Sequence, residues 1–240
     1  MIDSKTSKSI VLRLCISLVL IILPAIFLIK GIFGSFIFTF SIALIWQIGF
    51  LGMPISSLGI KSDSIKSSMI FGLITGLGLG FIGGNLLKFL GISGYWFNGM
   101  HKLQFDIGHF SFVFPLQKEL GYQLLMASNS MGGLIAYLIF SIFVIGLGEE
   151  IFWRGFIQAK ISNRFPINMS IWFTAIIFTL VHCYIFTILP IRMGISFLGI
   201  IFMGGLVWGY LFKHFNNVWP SAISHGVTAF IIWKYYFFIY

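Results

Sequence analysis

GGLIAYLIFSIFVIGLGEEIFWRGFIQ, Gly132 to Gln158, is an apolar run that holds two adjacent glutamates, Glu149 and Glu150, followed by Arg154. A membrane-crossing helix needs about 20 consecutive apolar residues, and this run is long enough. An ionised side chain at the bilayer centre costs roughly 2.5–3.5 kcal/mol on insertion scales. Carboxylates inside such a run therefore persist where they are paired, face water or do chemistry. The whole chain has only six acidic residues, so two side by side in an apolar helix mark the place where function is to be sought.

The composition around this run agrees with it. Of 240 residues, 58% are hydrophobic, 18% aromatic and only 9% charged, more apolar surface than a soluble domain of this length can bury. The expected fold is an all-α polytopic membrane protein, one integral-membrane domain over residues 1–240 built from about seven transmembrane helices. The expected spans are Ile10–Ile29, Phe33–Leu51, Ser68–Leu90, Gly132–Gln158, Ser170–Leu189, Gly194–Phe212 and Val218–Ile239. The first follows Lys5, Lys8 and Arg13, lacks a small-residue cleavage site and reads as an uncleaved anchor. Between Gly91 and Met131, a segment with Tyr95, Trp96, His101, His109, Pro115 and Tyr122 is too polar for a plain span. It reads as an interfacial or re-entrant element, and makes an eighth crossing if it inserts.

The formal net charge of +9 comes from 15 basic residues scattered at the ends of the apolar runs and not gathered into a patch. That distribution reads as topology, with the N-terminus cytoplasmic, and gives no reason to expect nucleic acid as a partner. The expected location is the plasma membrane, in a bacterium the inner membrane, with lipids as surroundings. Cys15 and Cys183 lie in apolar helices and read as small hydrophobes. Cys183 and His182 are neighbours that project about 100° apart on a helix, which argues against a thiol–imidazole pair. Gly72, Gly76, Gly80 and Gly84, and again Gly205 and Gly209, recur at four-residue spacing, a device for close helix approach to which no chemistry is assigned.

Helical spacing separates the charged residues. Glu150 and Arg154 stand at i and i+4 on one face and can form a buried ion pair, while Glu149 projects elsewhere, free to face a polar cavity as a general base on water. His182 and His225 lie in later spans. At 1.5 Å per residue from the cytoplasmic end of each span, the glutamates lie about 12–15 Å deep, His182 about 18 Å and His225 about 10 Å, so all four can converge in one layer. A carboxylate base, a histidine sharing the proton and a second histidine donating to a developing oxyanion make a hydrolytic site with no serine or cysteine nucleophile. Glu149, His182 and His225 are also a plausible three-ligand zinc set with an open water position, although no compact zinc spacing is present.

With these residues in place the chain resembles the CAAX protease and bacteriocin-processing family, the glutamate-dependent intramembrane endopeptidases. The resemblance covers the four helices from about 132 to 239, which it marks as a catalytic core. The motif E-E-x-x-x-R stands as Glu149, Glu150 and Arg154, followed by Gly155; F-x-x-x-H stands as Phe178 and His182; H-x-x-x-N/D begins at His225 but reaches Ala229. The resemblance implies that Glu149 and His182 activate water and that the His225 motif stabilises the oxyanion. Glu150, Arg154 and Phe178 support them. It implies no cofactor, leaving zinc as the alternative, and a protein or peptide substrate that in parts of the family is lipid-modified. Thr228 at i+3 from His225, or Ser221 at i−4, could supply the hydroxyl that Ala229 lacks. The competing reading is a catalytically silent relative acting in binding, immunity or scaffolding, for which Ala229 is the best argument. A transporter would be expected to repeat the charged motif in its two halves, and none is repeated.

Overall fold

Glycine is a poor helix former in water, yet the glycine-rich third run is helical from Ile65 to Phe89 (α1), because an apolar surrounding leaves the backbone no partner but itself. The computed structural model describes residues 54–62, 65–92, 103–107, 110–114, 120–187 and 189–237. After α1 come two short strands, β1 (Leu103–Ile107) and β2 (Phe110–Phe114), then α2 (Leu120–Ala127), α3 (Met131–Ser162), α4 (Ile167–Val181), α5 (Ile191–Phe215) and α6 (Trp219–Ile232). A 3-10 turn, Ile55–Leu58, precedes α1.

Three helices among the described residues, α1, α3 and α5, are long and apolar enough to cross a membrane. The expected spans Ile10–Ile29 and Phe33–Leu51 lie outside the described residues, as do Tyr95, Trp96, His101, His109 and Pro115. The all-α expectation holds for the helices that make up the core, with one local correction. β1 and β2 form an antiparallel pair with Leu103 opposite Phe114 and Ile107 opposite Phe110. The cause is visible in the sequence: LQFDI and FSFVF alternate with the period of a strand and are separated only by Gly108 and His109.

A second correction concerns the run Ser170–Leu189. It is α-helical only to Val181, because His182 takes φ −87° and ψ 6° and the chain tightens into a 3-10 helix over His182–Thr187. Prolines set the other boundaries. Pro166 and Pro190 stand just before α4 and α5, and Pro220 sits in the first turn of α6, where its missing N–H costs no helical bond. Asn216, with φ +48°, ends α5 in the left-handed conformation, and the next two residues tie back to the segment before α1. Val218 N–H donates to Gly59 O at 2.9 Å and Asn217 Nδ2 to Lys61 O at 3.1 Å.

Packing is inside-out relative to a soluble protein. Large apolar side chains such as Ile74, Ile82 and Phe89 point outward from α1, while its inward face is Gly72, Gly76, Gly80 and Gly84. A Cβ on Gly72 or Gly76 would stand 2.8 Å from the α6 carbonyls of Pro220 or Ser224, so α1 and α6 meet backbone to backbone. That is the close approach expected of such a stripe. On the other side of α6, Gly226 faces α3, and a Cβ there would reach within 2.6 Å of Ser141 O and overlap Ile142 Cα. Since backbone cannot step aside as a side chain can, Gly226→Ala should destabilise the protein by about 1–3 kcal/mol. A melting temperature in detergent equal to that of the wild type would show that the α3–α6 contact is looser than this.

Candidate active site

α3 carries the charges on an unusual winding. Leu147–Glu150 is a single α-helical turn between two π-helical stretches, Ser141–Gly146 and Ile151–Gln158. Hydrogen bonding from i to i+5 widens the turn and rephases the side chains after it, and such widenings often occur at functional sites. Gly155, after the arginine, is where the 3-10 turn lands: a Cβ would overlap Leu58 O.

The expected ion pair is formed. Arg154 Nη1 donates to Glu150 Oε1 at 2.7 Å, with both side chains fully buried. The guanidinium is further neutralised by Nη2 donating to Gly205 O at 2.9 Å and by the rings of Phe178 and Trp208, 5.2 and 5.6 Å away. A buried cation needs several such partners, because an ion pair alone seldom offsets desolvation. One turn on, Gln158 Nε2 repeats the contact by donating to Gly209 O at 3.1 Å. Gly205 and Gly209 therefore do more than let helices approach: their carbonyls receive the Arg154 and Gln158 side chains of α3.

Glu150 has a second partner. His225 Nδ1, on α6, donates to the same Oε1 at 3.0 Å. One carboxylate oxygen thus joins residues of the first and last motifs. His182 comes from the end of α4, where its Nδ1 donates to Phe178 O at 2.8 Å. A proton on Nδ1 makes Nε2 the acceptor of the neutral ring. Phe178, almost completely buried, stands between the two imidazoles, with ring centroids 4.7 Å from His182 and 6.0 Å from His225.

Glu149 differs from its neighbour. It keeps 6% of its surface exposed against none for Glu150, and its carboxylate has no hydrogen-bond partner among the described residues. His225, Glu150 and Arg154 nonetheless lie near enough to act on its charge. Two adjacent carboxylates therefore have unequal duties, one held in a network and one available.

The two hydroxyls considered as replacements for the side chain missing at Ala229 are engaged elsewhere. Thr228 Oγ1 donates to Ser224 O at 2.7 Å beside Gly76 O, and Ser221 Oγ donates to Val218 O at 2.9 Å. Each satisfies a backbone carbonyl of its own helix, as hydroxyls in apolar helices commonly do. Nor are Glu149, His182 and His225 gathered as ligands: no group of three His, Cys, Asp or Glu among the described residues is arranged to hold a metal ion.

Three residues of this region were not singled out in the sequence. Gln158 carries a weak signal, an amide four residues after Arg154 in an apolar helix. Trp208 stacks on His225 at 3.9 Å and 14°, and its Nε1 donates to Ser224 Oγ at 3.1 Å. Neither had a detectable pattern, since a tryptophan and a serine are ordinary in a membrane helix.

No curated protein and no solved structure matches the chain. Residues 131–231, the stretch that contains every one of the residues above from Glu149 to His225, match the family model described as Type II CAAX prenyl endopeptidase Rce1-like, which is the CAAX protease family the motifs resemble.

Proposed function

We propose that the protein is an intramembrane endopeptidase that hydrolyses a peptide bond near the C-terminus of membrane-associated or lipidated substrates. Glu149, with His182 sharing the proton, takes a proton from water as its oxygen attacks the scissile carbonyl. His225 donates to the oxyanion that results, and the proton is returned to the leaving amine as the tetrahedral species collapses. The observation that carries this reading is the unequal pair: Glu150 held by Arg154 and His225, Glu149 beside it without a hydrogen-bond partner among the described residues. The working part is the four-helix core from 132 to 239, within a single domain of seven spans, or eight with the segment after α1. The chain lies in the plasma membrane with its N-terminus in the cytoplasm.

The test is to map protein C-termini in membranes carrying the wild type or Glu149→Ala. New termini that appear only with the wild type support hydrolysis and name the substrates, while identical termini favour the silent relative. The reaction is metal-independent in this reading, so activity should survive exhaustive chelation; loss restored by zinc would revive the three-ligand alternative.

Ala229 is the observation that favours the silent reading, and it makes a prediction. Because Thr228 and Ser221 are bonded to backbone carbonyls, His225 serves the oxyanion alone, one turn before Ala229. Ala229→Asn should then raise the rate constant of hydrolysis by up to about a hundredfold, whereas Thr228→Val and Ser221→Ala leave it near the wild-type value. A slower Ala229→Asn together with a slower Thr228→Val would put the oxyanion donor back on Thr228.

A further inference from the structure

Among the described residues His225 is hydrogen-bonded at one edge, from Nδ1 to Glu150, and a ring held at one atom can still swing about that bond. Two further contacts stop it. The indole of Trp208 lies 3.9 Å from the imidazole at 14° from parallel, and the Phe178 ring closes a second side at 86°. Rotating the imidazole out of its plane would drive its atoms into the indole face.

The stacking partner is itself registered to His225. Trp208 belongs to α5, but its Nε1–H donates to the hydroxyl of Ser224, the residue immediately before His225 on α6. The indole therefore spans the two helices and keeps its place relative to the histidine. It is also almost completely buried, so it is not a surface residue that happens to lie near. The acceptor of this hydrogen bond is the Ser224 hydroxyl, whereas the neighbouring α1 contact is made by the Ser224 carbonyl.

We propose that Trp208 is a positioning residue that fixes the plane of the His225 imidazole, and with it the direction of Nε2, through a stack anchored at Ser224. The role rests on the proposed use of His225 as an oxyanion donor. A donor displaced by about 1 Å, or turned out of line, can cost on the order of a hundredfold in rate without weakening substrate binding. What the stack requires is a flat face, so phenylalanine should largely replace tryptophan and leucine should not.

Two measurements on the full chain in detergent test this. The first is nitrogen-15 NMR of histidine-labelled protein, with the His225 ring signals assigned by their loss in His225→Gln. The wild type and Trp208→Phe should give one sharp ring state, and Trp208→Leu a shifted or exchange-broadened one. The second is hydrolysis of a fluorogenic prenylated peptide ending in a cysteine–aliphatic–aliphatic sequence. Trp208→Leu should lower kcat by about 10- to 100-fold with KM changed less than about threefold, while Trp208→Phe and Ser224→Ala, which both lose the Trp208–Ser224 bond but keep a flat face on the imidazole, should each stay within about threefold of the wild type. Phe212→Leu, one turn further along α5 in the same buried cluster, is the control for lost packing: it should lower the melting temperature and leave kcat unchanged.

Ring signals in Trp208→Leu identical to those of the wild type overturn the positioning role, whatever the enzyme does. So does a kcat loss shared equally by Phe212→Leu, which would be general loosening of the core. If the ring signals change as expected but the wild type hydrolyses no peptide, the constraint on His225 stands and it is the proteolytic reading that fails.

Discussion

Glu149→Ala and His182→Ala should each lower the turnover number for peptide hydrolysis by about 10²- to 10⁴-fold, the usual contribution of a positioned acid–base group. The double variant should be little worse than either single one, because the two act on the same proton in the same step. Both should remain folded. Glu149 has no ion-pair or hydrogen-bond partner among the described residues to strand, and the bond from His182 Nδ1 goes to Phe178 O, one turn back along the chain. Purified single variants that turn over substrate at the wild-type rate would sink the assignment of water activation to these residues.

The second large effect is on stability. Arg154→Ala removes a group bonded to Glu150 Oε1 and Gly205 O, and Glu150→Gln removes the negative charge that faces both Arg154 and His225, leaving them a neutral amide oxygen. Breaking one side of a buried pair typically costs about 3–5 kcal/mol, because the other charge stays behind without compensation. Each variant should therefore melt well below the wild type in detergent. Glu150→Gln should in addition impair hydrolysis beyond its stability loss, because a neutral amide oxygen holds the His225 ring less firmly than a carboxylate does. If both variants kept the wild-type melting temperature, the network would be decoration, and Glu150 would have to be reconsidered as the base.

These two predictions differ in how far the sequence could support them. The Glu150–Arg154 pair was legible because its members are one helical turn apart, and i, i+4 contact needs no tertiary information. The glycine stripe of α1 was legible for the same reason: four-residue spacing of small residues defines a face whatever lies opposite. His225 as the second partner of Glu150 was not, since it stands 75 residues further along and only the packing of α6 on α3 brings it there.

The winding of α3 was hidden by its composition. A run that is apolar on every side has no polar stripe to show whether it repeats every 3.6 residues or more, so α and π winding read alike. The same uniformity concealed the end of α4 at Val181, because Tyr184, Ile185 and Phe186 continue the hydropathy of a span while the backbone tightens. The bonds of Thr228 and Ser221 to backbone carbonyls were hidden for a different reason. Spacing reports which face a side chain occupies, not whether a nearby carbonyl has already taken its proton.

The π stretches of α3 also give this helix spare length. A π turn is in effect an α turn that has accepted an additional residue, so Ser141–Gly146 and Ile151–Gln158 flank the glutamates with slack on both sides. A one-residue deletion in either stretch can be absorbed by a return to α winding, leaving the ends of the helix, and the anchoring of α3, nearly where they were. Rotation is largely kept as well, because the residue removed is the one the wider turn had accommodated, so the residues beyond it hold nearly their former faces. A single-residue gap beside the E-E pair is thus a kind of variation this architecture can survive with its glutamates still facing Arg154 and α6, whereas a gap inside the α-helical turn Leu147–Glu150 has no wider turn at its own position to draw on.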